Sequence, residues 1–209
     1  MLKNYKWKLL ISSVLILIPM LLGLVFWNQL PAQFPTHFGV DGNPDAWGGK
    51  LFVVLFPLIL LVLHWLCVLI TVKDPKNKDQ TKKAIGMTLW IMPMLSFVVS
   101  AIMYAVAFDI DLNISIVLHL FLGVLFIVIG NYLPKCKQNY TIGIKIPWTL
   151  GSENNWNKTH RLAGFLWVLG GVAMVVNAFI GSEWSILVIS VVMVFVPMVY
   201  SYLYFKKNK

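Results

Sequence analysis

Residues 51–72 read LFVVLFPLILLVLHWLCVLITV, a stretch of 22 residues that contains no Asp, Glu, Lys or Arg. A helix needs about 20 mostly apolar residues to cross the hydrocarbon core of a bilayer. Five further stretches meet this requirement: Leu9–Trp27, Ala84–Phe108, Leu112–Leu133, Leu162–Ile180 and Trp184–Phe205. The sequence therefore predicts an all-α membrane protein with six transmembrane helices.

The composition of the whole chain agrees with this fold class. Of 209 residues, 59% are hydrophobic and 12% are charged, whereas an ordinary soluble domain has roughly 45–50% and 25%. So little polar sequence excludes a soluble catalytic domain, and no linker-like stretch divides the chain. We expect one six-helix domain over residues 1–209, in which residues 1–83 hold the first long connection and residues 84–209 hold the second.

Basic residues predict the orientation of the helices. With both termini on the inner side, sixteen of the seventeen Lys and Arg residues lie inside and only Lys50 lies outside, as the positive-inside rule requires. The inner side then holds three of the eight carboxylates and has a net charge of +13, and the outer side has −4. We interpret the net charge of +9 as N-in, C-in topology in a lipid bilayer and expect no direct contact with nucleic acid.

The outer connection, residues 28–50, reads NQLPAQFPTHFGVDGNPDAWGGK. Its Pro and Gly residues exclude a helix, and Asp41-Gly42 and Asn43-Pro44-Asp45 are typical of turns, so we predict an ordered loop between helices 1 and 2. One interpretation is a polar and aromatic recognition surface formed by His37, Asp41, Asp45 and Trp47. The alternatives are turn-capping side chains with Trp47 as an interfacial anchor, and a weak metal site of oxygen and imidazole ligands.

The long inner connection, residues 134–161, reads PKCKQNYTIGIKIPWTLGSENNWNKTHR. Apolar and polar residues alternate from Tyr140 to Trp148, which predicts an extended segment with one apolar face. Ser152 is a typical N-cap with Glu153 in the first turn of the following helix, on which Trp156, Thr159, His160 and Ala163 share one face. The connection is either a membrane-surface anchor, whose Lys158 and Arg161 reach lipid phosphates, or a surface that binds a partner.

Four polar residues whose placement in a bilayer costs free energy lie within the predicted spans: His64, Asn113, His119 and Asn177. Such residues are functional candidates by default, and neutral, hydrogen-bonded structural histidines are the alternative. Pro19, Pro57, Pro93 and Pro197 are expected to kink four helices, and the pattern Asn-x-Leu-Pro ends both helix 1 and helix 4, as in an inverted repeat. These features support a second hypothesis, a small proton- or solute-coupled transporter or channel.

An enzyme is the least favoured class. The chain has no HExxH motif, and the sequence indicates no Ser/Lys or Ser/His pair and no acid pair at membrane depth. Its two cysteines, Cys67 and Cys136, are too few for a thiolate metal site, and we expect no disulfide between them in a reducing compartment. We predict no catalytic residue, no metal and no cofactor.

Both long connections carry recognisable motifs. The outer one resembles a short bacterial membrane domain of unknown function, with matches at Leu30, Pro31, Pro35, His37, Gly42, Asp45, Trp47 and Lys50. The inner one resembles the signature of the SdpI family, with matches at Gly130, Asn131, Pro134, Asn139, Gly143, Ile144, Pro147, Trp148, Thr149, Leu150, Trp156, Thr159, His160 and Arg161. The chain has Lys145 where the family more usually has Arg, so a bidentate guanidinium contact is absent there.

The resemblance implies a multi-pass protein of the bacterial cytoplasmic membrane that protects a toxin-producing cell from its own secreted killing peptide. It also implies a receptor that, once toxin is bound, holds a cognate DNA-binding repressor at the membrane. Candidates for binding the toxin are then His37, Asp41, Asp45, Trp47 and Lys50. Candidates for binding the cytoplasmic repressor are Asn131, Pro134, Asn139, Gly143, Lys145, Pro147, Trp148, Thr149, Trp156, Thr159, His160 and Arg161.

Overall fold

The computed structural model describes residues 5–39, 42–79, 82–181 and 184–208, with the backbone alone at 78–79 and 82–85. The long helices are α1 (Lys6–Val25), α2 (Phe52–Lys73), α3 (Lys82–Ala107), α4 (Ile114–Tyr132), α6 (Glu153–Ile180) and α7 (Ser185–Lys207), and the one-turn helix α5 (Pro147–Leu150) precedes α6. Within this described part, these six long helices are apolar enough to cross a membrane. The six predicted spans are confirmed.

The bounds of the helices agree with the predicted spans to within three residues, except at the start of α6. This helix begins nine residues before the predicted span, at Glu153. The hydroxyl of Ser152 accepts a hydrogen bond from the backbone N–H of Asn155 at 3.2 Å, so Ser152 is the N-cap that the sequence predicts. At its other end α6 is closed by Gly181, whose φ of 82° is left-handed.

The structure departs from an all-α fold in the connection after α1. Strands β1 (Gln33–Phe38) and β2 (Pro44–Gly49) pair in antiparallel fashion, with Gln33 opposite Gly49 and Phe38 opposite Pro44. Pro44 and Asp45, predicted to lie in a turn, belong to β2. Proline is tolerated because both strands of a two-stranded sheet are edge strands. Residues 33–49 are called the hairpin below.

Contacts divide the chain into two compact units. Unit 1 contains Met1–Val72 and Ile85–Ile114, and unit 2 contains Lys73–Ala84 and Ser115–Lys209. Helix α3 therefore lies in the same contact unit as α1 and α2. The short connection between α2 and α3 belongs to unit 2.

In unit 1 an apolar cluster anchors the hairpin to the ends of α2 and α3. Its buried members are Leu30, Phe34, Val53 and Met103. Phe34 is fully buried and meets the ring of Tyr104 edge to face, with 6.0 Å between the ring centroids. A two-stranded hairpin is marginally stable by itself in water, so the burial of Phe34 stabilises it.

In unit 2, α4 and α6 approach each other through two glycine pairs. A Cβ atom placed on Gly123 would lie 2.7 Å from the carbonyl oxygen of Gly171, and one placed on Gly130 would lie 2.9 Å from that of Gly164. The members of the two pairs are seven residues apart on each helix, which is close to two helical turns. Small residues at such contacts let membrane helices pack backbone against backbone.

The glycine contact generates a stability prediction. Gly171→Leu should force α4 and α6 apart and lower the free energy of unfolding by about 1–3 kcal/mol, the usual cost of overpacking a closed contact. The measurement is thermal unfolding of the purified protein in detergent. Val172→Leu on the neighbouring exposed position is the matched control, and equal unfolding temperatures for the two variants would contradict the close packing.

Candidate functional site

The hairpin presents an exposed histidine and carboxylate side by side. Nδ1 of His37 lies 2.6 Å from Oδ1 of Asp45, and the two side chains are 71% and 52% exposed. An exposed pair of this kind contributes little to stability. Its groups therefore remain available to a ligand.

The other predicted residues of the outer connection lie in different surroundings. Trp47 is half exposed on β2, and Nζ of Lys50 lies over the ring of Trp27, 4.6 Å from its centroid. Asp41 lies outside the described residues. Among the described residues, no group of three His, Cys, Asp or Glu side chains could hold a metal ion.

The second candidate surface is the motif segment, residues 134–161. The prediction of an extended stretch from Tyr140 to Trp148 is wrong, since no strand forms there and Trp148 lies in α5. Gly143 has a φ of 110°, which interrupts the extended backbone in the middle of the alternating pattern. Tyr140, expected on a buried apolar face, is exposed.

The side-chain amide of Asn139 forms hydrogen bonds with the backbone of this irregular stretch. Its Oδ1 accepts hydrogen bonds from the backbone N–H groups of Thr141 at 2.8 Å and Ile142 at 2.6 Å. Its Nδ2 donates to the carbonyls of Lys137 at 2.8 Å and Ile142 at 2.9 Å. Asn139 is fully buried, so this one side chain satisfies backbone groups that no helix or strand pairs.

Thr149 and His160 fix the next part of the segment. The hydroxyl of Thr149 lies 2.7 Å from the carbonyl oxygen of Ile144 and accepts from the N–H of Ile146 at 3.1 Å. Nε2 of His160 accepts from the N–H of Ile144 at 2.9 Å, and Nδ1 lies 2.8 Å from the carbonyl oxygen of Trp156. Because a carbonyl can only accept, the proton is on Nδ1 and the imidazole is neutral in this arrangement.

Trp156 is the largest fully buried side chain of the protein's described part. Its Nε1 donates to the carbonyl of Cys136 at 2.8 Å, and its ring stacks on that of His160 with 4.0 Å between centroids. Burial raises the pKa of the Cys136 thiol to about 11. The thiol is therefore protonated and unreactive at neutral pH.

Asn155 joins α6 to α7, and Thr159 of the same helix supports its side chain. Nδ2 of Asn155 donates to the carbonyl of Ser201 at 3.0 Å, and its Oδ1 accepts from the hydroxyls of Ser201 at 2.8 Å and Thr159 at 2.9 Å. The face of α6 that was predicted to hold Trp156, Thr159 and His160 is thus buried. These side chains form part of the buried support of the motif segment. Five of the predicted partner-binding residues are buried in this way: Asn139, Thr149, Trp156, Thr159 and His160.

The remaining members of the set lie at or near the surface. Asn131, Pro134, Lys145, Pro147 and Arg161 are exposed. Trp148 is half buried, with its ring centroid 5.0 Å from that of Tyr202, and it lines a cleft of about 210 Å³ together with Ser152, Asn155, Tyr204 and Phe205. Nζ of Lys158 lies 4.6 Å from the centroid of the Tyr204 ring. Basic and aromatic side chains are therefore accessible in the motif segment and the first turns of α6.

The intramembrane histidines have serine partners that the sequence analysis missed. In unit 1, Nε2 of His64 lies 2.9 Å from Oγ of Ser12, whose hydroxyl also lies 3.0 Å from the carbonyl oxygen of Leu9. The expectation of no Ser/His pair at membrane depth is therefore wrong. Both side chains are buried and the hydroxyl proton is directed at a carbonyl, which is the arrangement of a structural pair.

In unit 2, Nε2 of His119 lies 2.8 Å from Oγ of Ser185 and 3.1 Å from Nδ2 of Asn177. Nδ1 of His119 lies 2.7 Å from the carbonyl oxygen of Ser115. Each of the two intramembrane histidines therefore has the hydrogen-bonded surroundings of a structural residue. This favours the structural interpretation over the transport one.

The left-handed backbone at Gly143 generates a prediction for the motif segment. A Cβ atom there would meet the imidazole of His160 and lie 3.2 Å from Cζ2 of Trp156. Gly143→Ala should cost about 1–3 kcal/mol in local stability and speed trypsin cleavage at Lys137 and Lys145 by about tenfold. Gly49→Ala, where a Cβ meets nothing within 4 Å, is the control. Identical cleavage rates in the two variants would show that the segment tolerates the side chain.

Comparisons with known proteins place both connections in families. Residues 135–201 match the SdpI/YfhL protein family, and residues 14–61 match DUF1648, a domain of unknown function. The chain is 26% identical over 205 residues to the immunity protein SdpI of Bacillus subtilis (strain 168), which covers 96% of this chain and 97% of that protein. It is also 33% identical over 48 residues to an uncharacterised protein of Archaeoglobus fulgidus, covering 23% and 26% of the two chains. No solved structure matches the chain significantly.

The two family matches coincide with the two structured connections. The match over residues 14–61 contains the whole hairpin, and the match over residues 135–201 begins in the motif segment and continues through α6 into α7. Together with the six helices, these matches confirm the resemblance seen in the motifs: residues 135–201 match the SdpI family, and the chain is a multi-pass protein of the bacterial membrane.

Proposed function

We propose that this protein is a membrane immunity protein that protects the cell against a secreted antimicrobial peptide. The observation that carries the proposal is the similarity to an immunity protein along 96% of the chain. That similarity includes both connections, so the parts of the molecule outside the spans are shared as well. Such an immunity role requires a surface that contacts the peptide on the outer side of the membrane.

The hairpin supplies that surface in our proposal. In the N-in, C-in orientation the hairpin faces outward, on the side where a secreted peptide acts. The exposed pair of His37 and Asp45 and the half-exposed Trp47 offer hydrogen-bonding, charged and aromatic groups on a small rigid element. Aromatic and charged side chains of this type dominate the energetics of protein recognition surfaces.

The hairpin surface generates a direct test of the proposal. His37→Ala, Asp45→Asn and Trp47→Ala should each weaken protection of a sensitive cell by about tenfold or more in the peptide dose that is tolerated, because each removes a contact group of a recognition surface. Protection is measured as survival against the purified peptide, at equal amounts of protein in the membrane. Gln33→Ala, an exposed substitution on β1 of the same hairpin, should protect as the parent does. Full protection by all three variants would remove the hairpin from the mechanism.

We also propose that the motif segment binds a cognate transcriptional repressor on the cytoplasmic side once the peptide is bound. Support comes from its construction: five of its predicted residues are buried as a scaffold, and Lys145, Trp148 and Arg161 lie at the surface above them. A basic surface with an aromatic residue beside a cleft suits a folded protein partner with acidic groups.

For this second role the informative variants are Trp148→Ala and Arg161→Ala. Each should release a fluorescently tagged repressor from the membrane of peptide-treated cells, with a loss of at least about tenfold in affinity, because each removes a contact group at the surface and leaves the five buried residues of the motif segment unchanged. Asn157→Ala, exposed on the same helix as Arg161, is the control. Recruitment that persists in both variants would assign the two residues to the fold alone.

A further inference from the structure

The four residues after α2 bind the motif segment through a buried carboxylate. Asp74 is only 7% exposed. Its Oδ2 accepts from the backbone N–H of Tyr140 at 2.8 Å and from the hydroxyl of Thr141 at 3.2 Å, and its Oδ1 accepts from the N–H of Lys76 at 3.0 Å. Residues 74 and 140 are 66 positions apart, so these hydrogen bonds join distant parts of unit 2.

Two further residues of the same turn strengthen the attachment. Nζ of Lys76 donates to Oε1 of Gln138 at 3.0 Å and lies 4.8 Å from the centroid of the Tyr140 ring. Nδ2 of Asn77 donates to the hydroxyl of Thr141 at 2.6 Å. The contacts of Asp74, Lys76 and Asn77 with residues 138–141 are called the Asp74 clamp below.

Gln138 extends the clamp to the surface proposed to bind the partner. Its Nε2 donates to the carbonyl oxygens of Thr149 at 2.8 Å and Leu150 at 3.0 Å. These are the last two residues of α5, the helix that holds Trp148. A continuous chain of polar contacts therefore leads from the clamp to α5, the helix that holds the half-buried Trp148.

A buried carboxylate is costly unless every lone pair is used, and an apolar contact would hold a loop at lower cost. Directional hydrogen bonds specify one arrangement, which apolar packing does less strictly. The clamp also begins at the residue that follows α2, and α2 follows the hairpin along the chain. A shift of α2 along or about its axis would therefore displace the carboxylate of Asp74 directly.

We propose that Asp74 is a positioning residue for the partner-binding surface: the clamp holds α5 and Trp148 in their binding arrangement and links this surface, through the covalent connection, to helix α2. The proposal rests on the proposed repressor-binding function and adds its regulation. Immunity and signalling then depend on different residues. Loss of the clamp should weaken recruitment of the repressor by about tenfold and leave protection in place.

The first arm of the test measures the clamp without toxin or repressor. In a chain that carries Cys67→Ala, Cys136 is the remaining thiol, buried in the motif segment. Asp74→Asn should loosen residues 138–141 and speed maleimide labelling of Cys136 by about tenfold, because an amide nitrogen cannot accept the hydrogen bonds that the carboxylate accepts. Thr141→Val, which removes one clamp partner and preserves the side-chain shape, should give a smaller increase. Asp111→Asn, an exposed carboxylate beyond the clamp, should label at the parent rate.

The second arm measures recruitment of the tagged repressor and survival against the peptide in the same variants. We expect Asp74→Asn to lose recruitment by about tenfold and to protect as the parent does. Unchanged labelling in both Asp74→Asn and Thr141→Val would overturn the clamp itself. Faster labelling with full recruitment would overturn its positioning role. A parent chain that recruits no repressor would instead refute the proposed function, while the labelling rates would still report on the clamp.

Discussion

The buried amide of Asn139 is the interaction on which the rest of the motif segment depends. A chain that runs irregularly beside a bilayer must still satisfy its backbone N–H and C=O groups, because an unpaired group in apolar surroundings costs several kcal/mol. Asn139 pairs four such positions by itself, and Thr149 and His160 pair the next ones. The backbone of the segment is therefore hydrogen-bonded without being a helix or a strand. Its exposed residues are presented on that support.

Unit 1 meets the same constraint by other means. Its hairpin pairs its own backbone, and the burial of Phe34 attaches it to the helices. Within the spans, the hydroxyl of Ser96 lies 2.9 Å from the carbonyl oxygen of Ile16, and that of Tyr104 lies 2.8 Å from that of Pro19. The second of these oxygens belongs to a proline inside α1. These side-chain hydroxyls thus find acceptors on the backbone of α1 within the spans.

The spans could be predicted from the sequence because their lengths and hydropathy follow from the thickness of the bilayer. The cap of α6 could be predicted because Ser152 acts on a residue three positions away. The hairpin was missed because Pro35 and Pro44 argue against an internal strand, and only the two-stranded topology makes both positions edges. The large apolar side chain of Phe34, which lies between Pro31 and Pro35 in an otherwise polar connection, could have indicated that part of the connection is buried.

The remaining differences come from contacts between residues far apart in the chain. Alternation from Tyr140 to Trp148 predicted a strand, but the left-handed Gly143 and the amide of Asn139 impose another path. The partners of Asp74 and His64 are 66 and 52 positions away. No local pattern indicates such pairs. The Asp-Pro sequence after α2 marks a turn and gives no sign that the turn binds a distant segment.

In the proposed function, the hairpin meets a secreted peptide outside the membrane and the motif segment meets a cytoplasmic partner on the inner side. Labelling of single cysteines with a membrane-impermeant maleimide tests it most directly. In the Cys67→Ala chain, with Cys136 buried, the exposed positions Thr36 and Lys145 are replaced in turn by Thr36→Cys and Lys145→Cys. The claim predicts labelling of Thr36→Cys in intact cells and of Lys145→Cys only after the membrane is opened. Labelling of both in intact cells, or of Lys145→Cys alone, would contradict it.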